Sequence, residues 1–192
     1  IDLNLEDFVQ RVNSDLVGKV INIASRSAKF ITKGDSLLSA ELANTELWQQ
    51  GIDAGKQIAK HYEERDYSKA MREIMALADA TNEYFDAAEP WKLAKQDDTA
   101  AQAVAISSQC INMFAQIMTY LAPVLPQTVV KAEAFLNTSL SWEQEPTPLL
   151  SHEINKFKAM MSRVDSDKVE AMVEAQKAEL AKEIKAAPVP AT

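Results

Sequence analysis

The stretch "NIASRSAKFITK" (residues 22–33) carries Asn22, Arg26, Lys29 and Lys33 and not one carboxylate. It belongs to a chain with 28 Asp and Glu against 20 Lys and Arg, a formal net charge of −8. Between Asp15 and Asp35 there are four positive charges, counting Lys19, and no negative ones, so the remainder holds 16 basic and 28 acidic residues, a balance of −12. At about 100° per residue, Lys19, Asn22, Arg26, Lys29 and Lys33 fall within an arc of roughly 80°, opposite Leu16, Val17, Val20, Ile21, Ala24, Ala28 and Ile31. The pattern is that of an amphipathic helix with one basic stripe. Two readings of the stripe stand side by side. It is a solvated face whose cations are drawn to a helix C-terminus, or a surface that something negative approaches. Asn22 favours the second, because a mid-helix Asn competes with the backbone for hydrogen bonds.

Working outward, helical periodicity dominates and no alternating strand is evident. Asn4 or Asp2 caps a first helix running to about Thr32, with Glu6 and Asp7 in its first turn; Gly34 stops it. A second helix begins near Thr45, and Asp66 is a good cap for a third, in which Met71, Ile74, Met75 and Ala78 recur at helical spacing. These two are expected to pair antiparallel. Glu89-Pro90 marks a corner, since proline suits a first turn and excludes helical backbone before it. A long apolar helix is expected from about Asp98 to Leu121, and another from Pro126 to about Leu136. Residues 137–157 are too rich in turn formers to be regular. Asp165 caps a last helix with a narrow apolar stripe of Val169, Met172, Val173 and Leu180. The expectation is an all-α bundle of about five to six helices over residues 1–164. A C-terminal helix at 165–185 would pack thinly on the bundle or on a missing partner, followed by a linker at 186–192.

Composition excludes several classes. The 192 residues include 47% hydrophobic side chains and a single cysteine, Cys110, which rules out a disulfide framework and points to a reduced compartment. No apolar run reaches the roughly 18–20 residues of a membrane span, and the N-terminus has no signal core. A cytoplasmic protein with no membrane or DNA partner is expected, and the acidic balance confines any nucleic-acid contact to a local patch. No phosphate-binding loop or catalytic triad is present, and His61 and His152 are isolated.

"AAEPWKLAK" (residues 87–95) sets Trp91 directly after Pro90 at the corner, flanked by Lys92 and Lys95. An aromatic ring held there suits a stacking platform for an unstacked base, worth about 1–3 kcal/mol. Taken alone, it suits better a hydrophobic plug that pins the corner to the core. Trp48 reads as a core residue of its amphipathic helix and Trp142 as an anchor of the irregular stretch.

Taken in order, "NIASRSAKFITK", "KAMREIMALADATNEYFDAAEPWKLAK" (residues 69–95) and "AEAFLNTSLSW" (residues 132–142) resemble the anticodon-binding domain of bacterial methionyl-tRNA synthetase, over about Leu5 to Lys177. The resemblance implies a helical bundle that follows a class I catalytic domain and binds the CAU anticodon of initiator and elongator methionine tRNAs. It implies that Trp91, after Pro90, stacks on the first anticodon base while Asn22 and Arg26 contact bases and backbone. Lys29 and Lys33 would position the phosphates. "GDSLLSAELANTEL" matches less well. ATP and Mg2+, with Zn2+ in some members, would belong to the catalytic domain, and a further C-terminal domain would make the parent a homodimer. The rival reading is a helical adaptor that meets an acidic protein partner.

Overall fold

The computed structural model describes residues 4–186 and is built of helices, with no strand among the described residues. The first rod comprises α1 (Leu5–Arg11), a π-helical stretch (Val12–Ile21) and α2 (Asn22–Ile31). Asn4 caps it by accepting from the Asp7 amide at 3.1 Å; Asp2, the other candidate cap, and the linker from Ala187 lie outside the described residues. The π-helical stretch departs from the uniform spacing expected from sequence. Its wider i→i+5 turns mean that the arc drawn from Lys19 to Lys33 holds only from Asn22 onward. Here the widened turn has a structural use. Asn13, within it, donates to the Val164 carbonyl at 2.8 Å and accepts from the Val164 amide at 2.6 Å, tying the start of the last helix to the first.

Helices α3 (Thr45–Glu63) and α4 (Tyr67–Ala88) begin at Asn44 and Asp66, whose side chains accept from the Leu47 and Lys69 amides. They pair antiparallel across a three-residue turn, the Tyr62 and Tyr67 rings 6.1 Å apart at that end, and Gln50, Gln57, Glu73 and Leu77 line one shared groove. A one-turn α5 (Pro90–Leu93) leads to α6 (Ala100–Leu121), then α7 (Pro126–Leu136) and α8 (Ser166–Ala186). Helix α6 starts two residues later than expected. Thr99 caps the turn before it and donates its hydroxyl to the Leu93 carbonyl at 2.7 Å.

Nearly the whole of α6 is buried, and α2, α3, α4, α5 and α7 pack around it. Its apolar side chains fill the core, with Ile111, Met113, Phe114, Ile117 and Met118 fully enclosed. Several of its buried polar side chains bind the backbone of neighbouring segments. Ser108 accepts from the Ser39 amide, Gln109 from the Asn44 amide, and Asn112 holds both the amide (2.6 Å) and carbonyl (3.1 Å) of Leu149. The two irregular segments thus fixed also bond to each other, through Leu38 to His152 at 2.9 Å and Ser151 to Ser39 at 3.0 Å. Cys110 is buried among them, and burial pushes its thiol up to about 12, so it is an inert core residue. Trp142 is an anchor as expected, its ring 4.9 Å from that of Tyr120 and 6.3 Å from that of Tyr62.

Helix α8 begins with Asp165 accepting from the Asp167 amide at 3.1 Å. Of its stripe, Val169 is buried, whereas Met172 and Leu180 are 63% and 58% exposed. No helix among the described residues is long and apolar enough to cross a membrane.

Two glycines let α3 approach α6. A Cβ at Gly55 would lie 2.5 Å from the Tyr120 hydroxyl, which donates to the Gly51 carbonyl at 2.8 Å and is held against Trp142. Gly55→Ala gains about 1 kcal/mol of helix propensity. It loses about 1–3 kcal/mol to overpacking and about 1 kcal/mol to the disturbed hydrogen bond. We expect net destabilisation of about 1–3 kcal/mol in urea unfolding with an unchanged m-value; a neutral or stabilised variant contradicts this packing.

Candidate nucleic-acid interface

Two elements meet at one end of the bundle, the C-terminal half of α2 and the α4–α5 corner. The corner is made by Glu89, whose left-handed backbone (φ 46°, ψ 52°) ends α4 and starts α5. For a residue with a Cβ this conformation costs about 1–2 kcal/mol. Pro90 follows at the first helical position, where its missing N–H is no loss, and its ring is buried. Trp91 is thereby turned outward, 37% exposed, with its other side on Phe85 at a centroid distance of 5.9 Å. One part of the indole packs and the rest is open.

Phe85 is the link that sequence analysis missed. It is 4% exposed, and the Arg26 guanidinium lies over its ring at 4.4 Å from the centroid. Arg26 and Trp91 are therefore joined through one buried aromatic ring, with Phe30 behind it at 6.2 Å. Asn22 lies one turn before Arg26, half-buried, its side-chain oxygen accepting from the Ser25 hydroxyl at 3.3 Å. Among the described residues no hydrogen bond joins it to Arg26 or Trp91. Lys29 and Lys33 are exposed and have no carboxylate partner among the described residues.

The basic stripe is less bare than its own sequence suggests. Arg26 pairs with Asp86, and Lys19 pairs with Asp79 at 2.9 Å, both carboxylates coming from α4. The spacing could have revealed this, for Lys19 and Arg26 are seven residues apart and so are Asp79 and Asp86, which suits two helices running parallel. Two of the four cations are thus matched locally, and Lys29 and Lys33 are left to face solvent. Near the corner Lys92 pairs with Glu89 at 2.7 Å, an exposed contact of small energetic weight.

The arrangement offers a partly open indole face, a guanidinium fixed in direction by an aromatic ring and a carboxylate, an amide one turn away and two unpaired lysines. Such a set is chemically fit to stack an unstacked base, donate to base edges or phosphates, and attract backbone charge. Stacked in this way, Arg26 keeps donors beyond those used on Asp86.

A sequence model described as the anticodon binding domain of methionyl tRNA ligase matches residues 34–183. The matched span contains Pro90 and Trp91 and begins after the helix bearing Asn22 and Arg26. The chain also resembles the free state of methionyl-tRNA synthetase from Mycobacterium tuberculosis, with a TM-score of 0.78 and 21% identity over 85% of this chain and 35% of that one. For the same organism's synthetase in complex with methionyl-adenylate the TM-score is 0.74 and the identity 20%, covering 82% of this chain and 33% of that one. At such identities the likeness is one of fold, and the chain spans about a third of the length of these synthetases. With the family match extending over most of its length, this chain belongs to the family of anticodon-binding domains of methionyl-tRNA ligases.

Proposed function

We propose that this chain recognises the CAU anticodon of initiator and elongator methionine tRNAs, so that a catalytic part of the same protein can attach methionine using ATP. The observation that carries the reading is the Arg26–Phe85–Trp91 stack, which fixes a guanidinium and a partly open indole on one surface. Trp91 stacks on the first anticodon base; Pro90 and the left-handed Glu89 hold it at the corner. Asn22 and Arg26 contact base edges and backbone, and Lys29 and Lys33 neutralise phosphates. ATP, Mg2+ and any Zn2+ are assigned to the catalytic part, as are methionine activation and transfer. Among the described residues no three His, Cys, Asp or Glu side chains converge into a metal site. The parent would act in the cytoplasm, and a further C-terminal domain would support its homodimer.

Trp91 separates stacking from simple packing. Trp91→Phe should keep most of the binding to a CAU stem-loop, while Trp91→Leu, which retains bulk against Phe85, should lose about 1–3 kcal/mol. Isothermal titration alongside thermal melting checks this. Equal losses in the two variants, or binding losses that track melting temperature, would reduce Trp91 to a plug.

Base readers and backbone contacts should also part company. Asn22→Ala and Arg26→Ala are expected to weaken binding and narrow the preference for CAU over altered loops, because base-edge contacts carry sequence information. Lys29→Ala and Lys33→Ala should weaken all loops alike and flatten the plot of log K against log[salt] by about 0.7 for each lost contact. A uniform response of all four variants in salt-dependent anisotropy titrations would contradict this division. An acidic protein partner would instead give no loop preference in the unmodified chain.

A further inference from the structure

A second cationic surface is built from elements other than α2, between α7 and the irregular segment that follows Glu153. From Asn155 to Val164 the chain carries Lys156, Lys158 and Arg163 and no acidic residue, the longest such run after the opening stretch to hold three cations. Lys156 and Lys158 join Lys131 of α7 and Asn155 around an open groove of about 550 Å3. No carboxylate lines it.

The local architecture explains how this charge is presented. Between the two lysines, Phe157 is half-buried with its ring 5.5 Å from that of Phe135, which turns both neighbours outward. The one acid in α7, Glu133, is turned away, its carboxylate accepting from the Leu140 amide at 2.8 Å. The last carbonyls of α7 are already satisfied: Asn155 donates its backbone and side-chain N–H groups to Phe135 and Ala134 at 2.9 and 2.7 Å, and His152 meets the Leu136 carbonyl at 2.7 Å. Lys156 and Lys158 are therefore not needed as helix caps. Lys131 donates to the Met160 carbonyl at 3.0 Å, which leaves its other two N–H groups for the groove. No ion pair engages these three lysines among the described residues.

In a chain of net charge −8, three unpaired lysines around one groove mark a place built for an anion. We propose that this groove holds phosphates of the tRNA backbone outside the anticodon loop, a second contact on a different element from the first. The inference rests on the RNA-binding reading above. It adds affinity without sequence preference, since lysines act on phosphates as point charges.

Anisotropy titrations of the whole chain at several salt concentrations test this, with full-length methionine tRNA and with the isolated anticodon stem-loop. The double variant Lys156→Ala/Lys158→Ala should bind full-length tRNA several-fold more weakly. Its slope of log K against log[salt] should be shallower by about 1.8, or about 0.9 for each lost contact. Stem-loop binding should not change, and Lys156→Arg/Lys158→Arg should restore the slope. Inorganic phosphate substituted for chloride at constant ionic strength should compete with tRNA more in the unmodified chain than in the double variant; equal competition in both would overturn the proposal. So would an unchanged slope, or an equal loss on the stem-loop. Failure of the unmodified chain to prefer the CAU stem-loop would sink the anticodon reading, whereas the effect of the lysine pair on full-length tRNA decides this one.

Discussion

Everything in this fold hangs on α6, a buried helix that is not simply apolar. Its Ile, Met and Phe side chains supply the core, but Ser108, Gln109 and Asn112 reach the backbone of segments that have no regular structure of their own. A buried amide or carbonyl left without a partner costs about 1–3 kcal/mol, so these contacts decide where the irregular segments lie. On the α3 side, Gln116 reaches the Trp48 carbonyl and Tyr120 the Gly51 carbonyl. Burial pushes the Tyr120 phenol up to about 12, so it keeps its proton to a higher pH than an ordinary phenol.

The proposed interface inherits its geometry from this post. Helices α2, α4 and α5 all pack on α6, and Phe85 is the point where the three reach one another. Its ring carries Arg26 on one contact and Trp91 on another. Asp86 and Asp79 then hold Arg26 and Lys19 to α4, so the positive field at this end is narrower than the sequence of α2 alone implies. A local field suits selective contact with a short loop, and the acidic remainder disfavours extended nonspecific binding.

Much of the fold was legible because its punctuation is local. Asn44 and Asp66 announce helix starts through side chains that accept from backbone amides three residues on, and Pro90 and Pro126 sit where proline is tolerated. The π-helical stretch was not legible, and Val164, the partner that Asn13 finds from within it, lies 151 residues away. The polar role of α6 was hidden for the same reason: its partners are backbone groups of distant loops. At the site, Asn22, Arg26, Pro90 and Trp91 stood out by residue type and setting. Phe85 looked like any helical aromatic, and Asp79 and Asp86 like solvated charges, until the parallel packing of α2 and α4 brought them across.

The central claim is that Trp91 is the surface on which a CAU loop is met. With Trp48→Phe and Trp142→Phe in place, Trp91 is the sole indole, and its fluorescence can be followed as an anticodon stem-loop is added. The account predicts saturable quenching by the CAU loop, lost when the first anticodon base is replaced by an abasic site. Emission that stays constant, or quenches equally with the abasic loop, would contradict it.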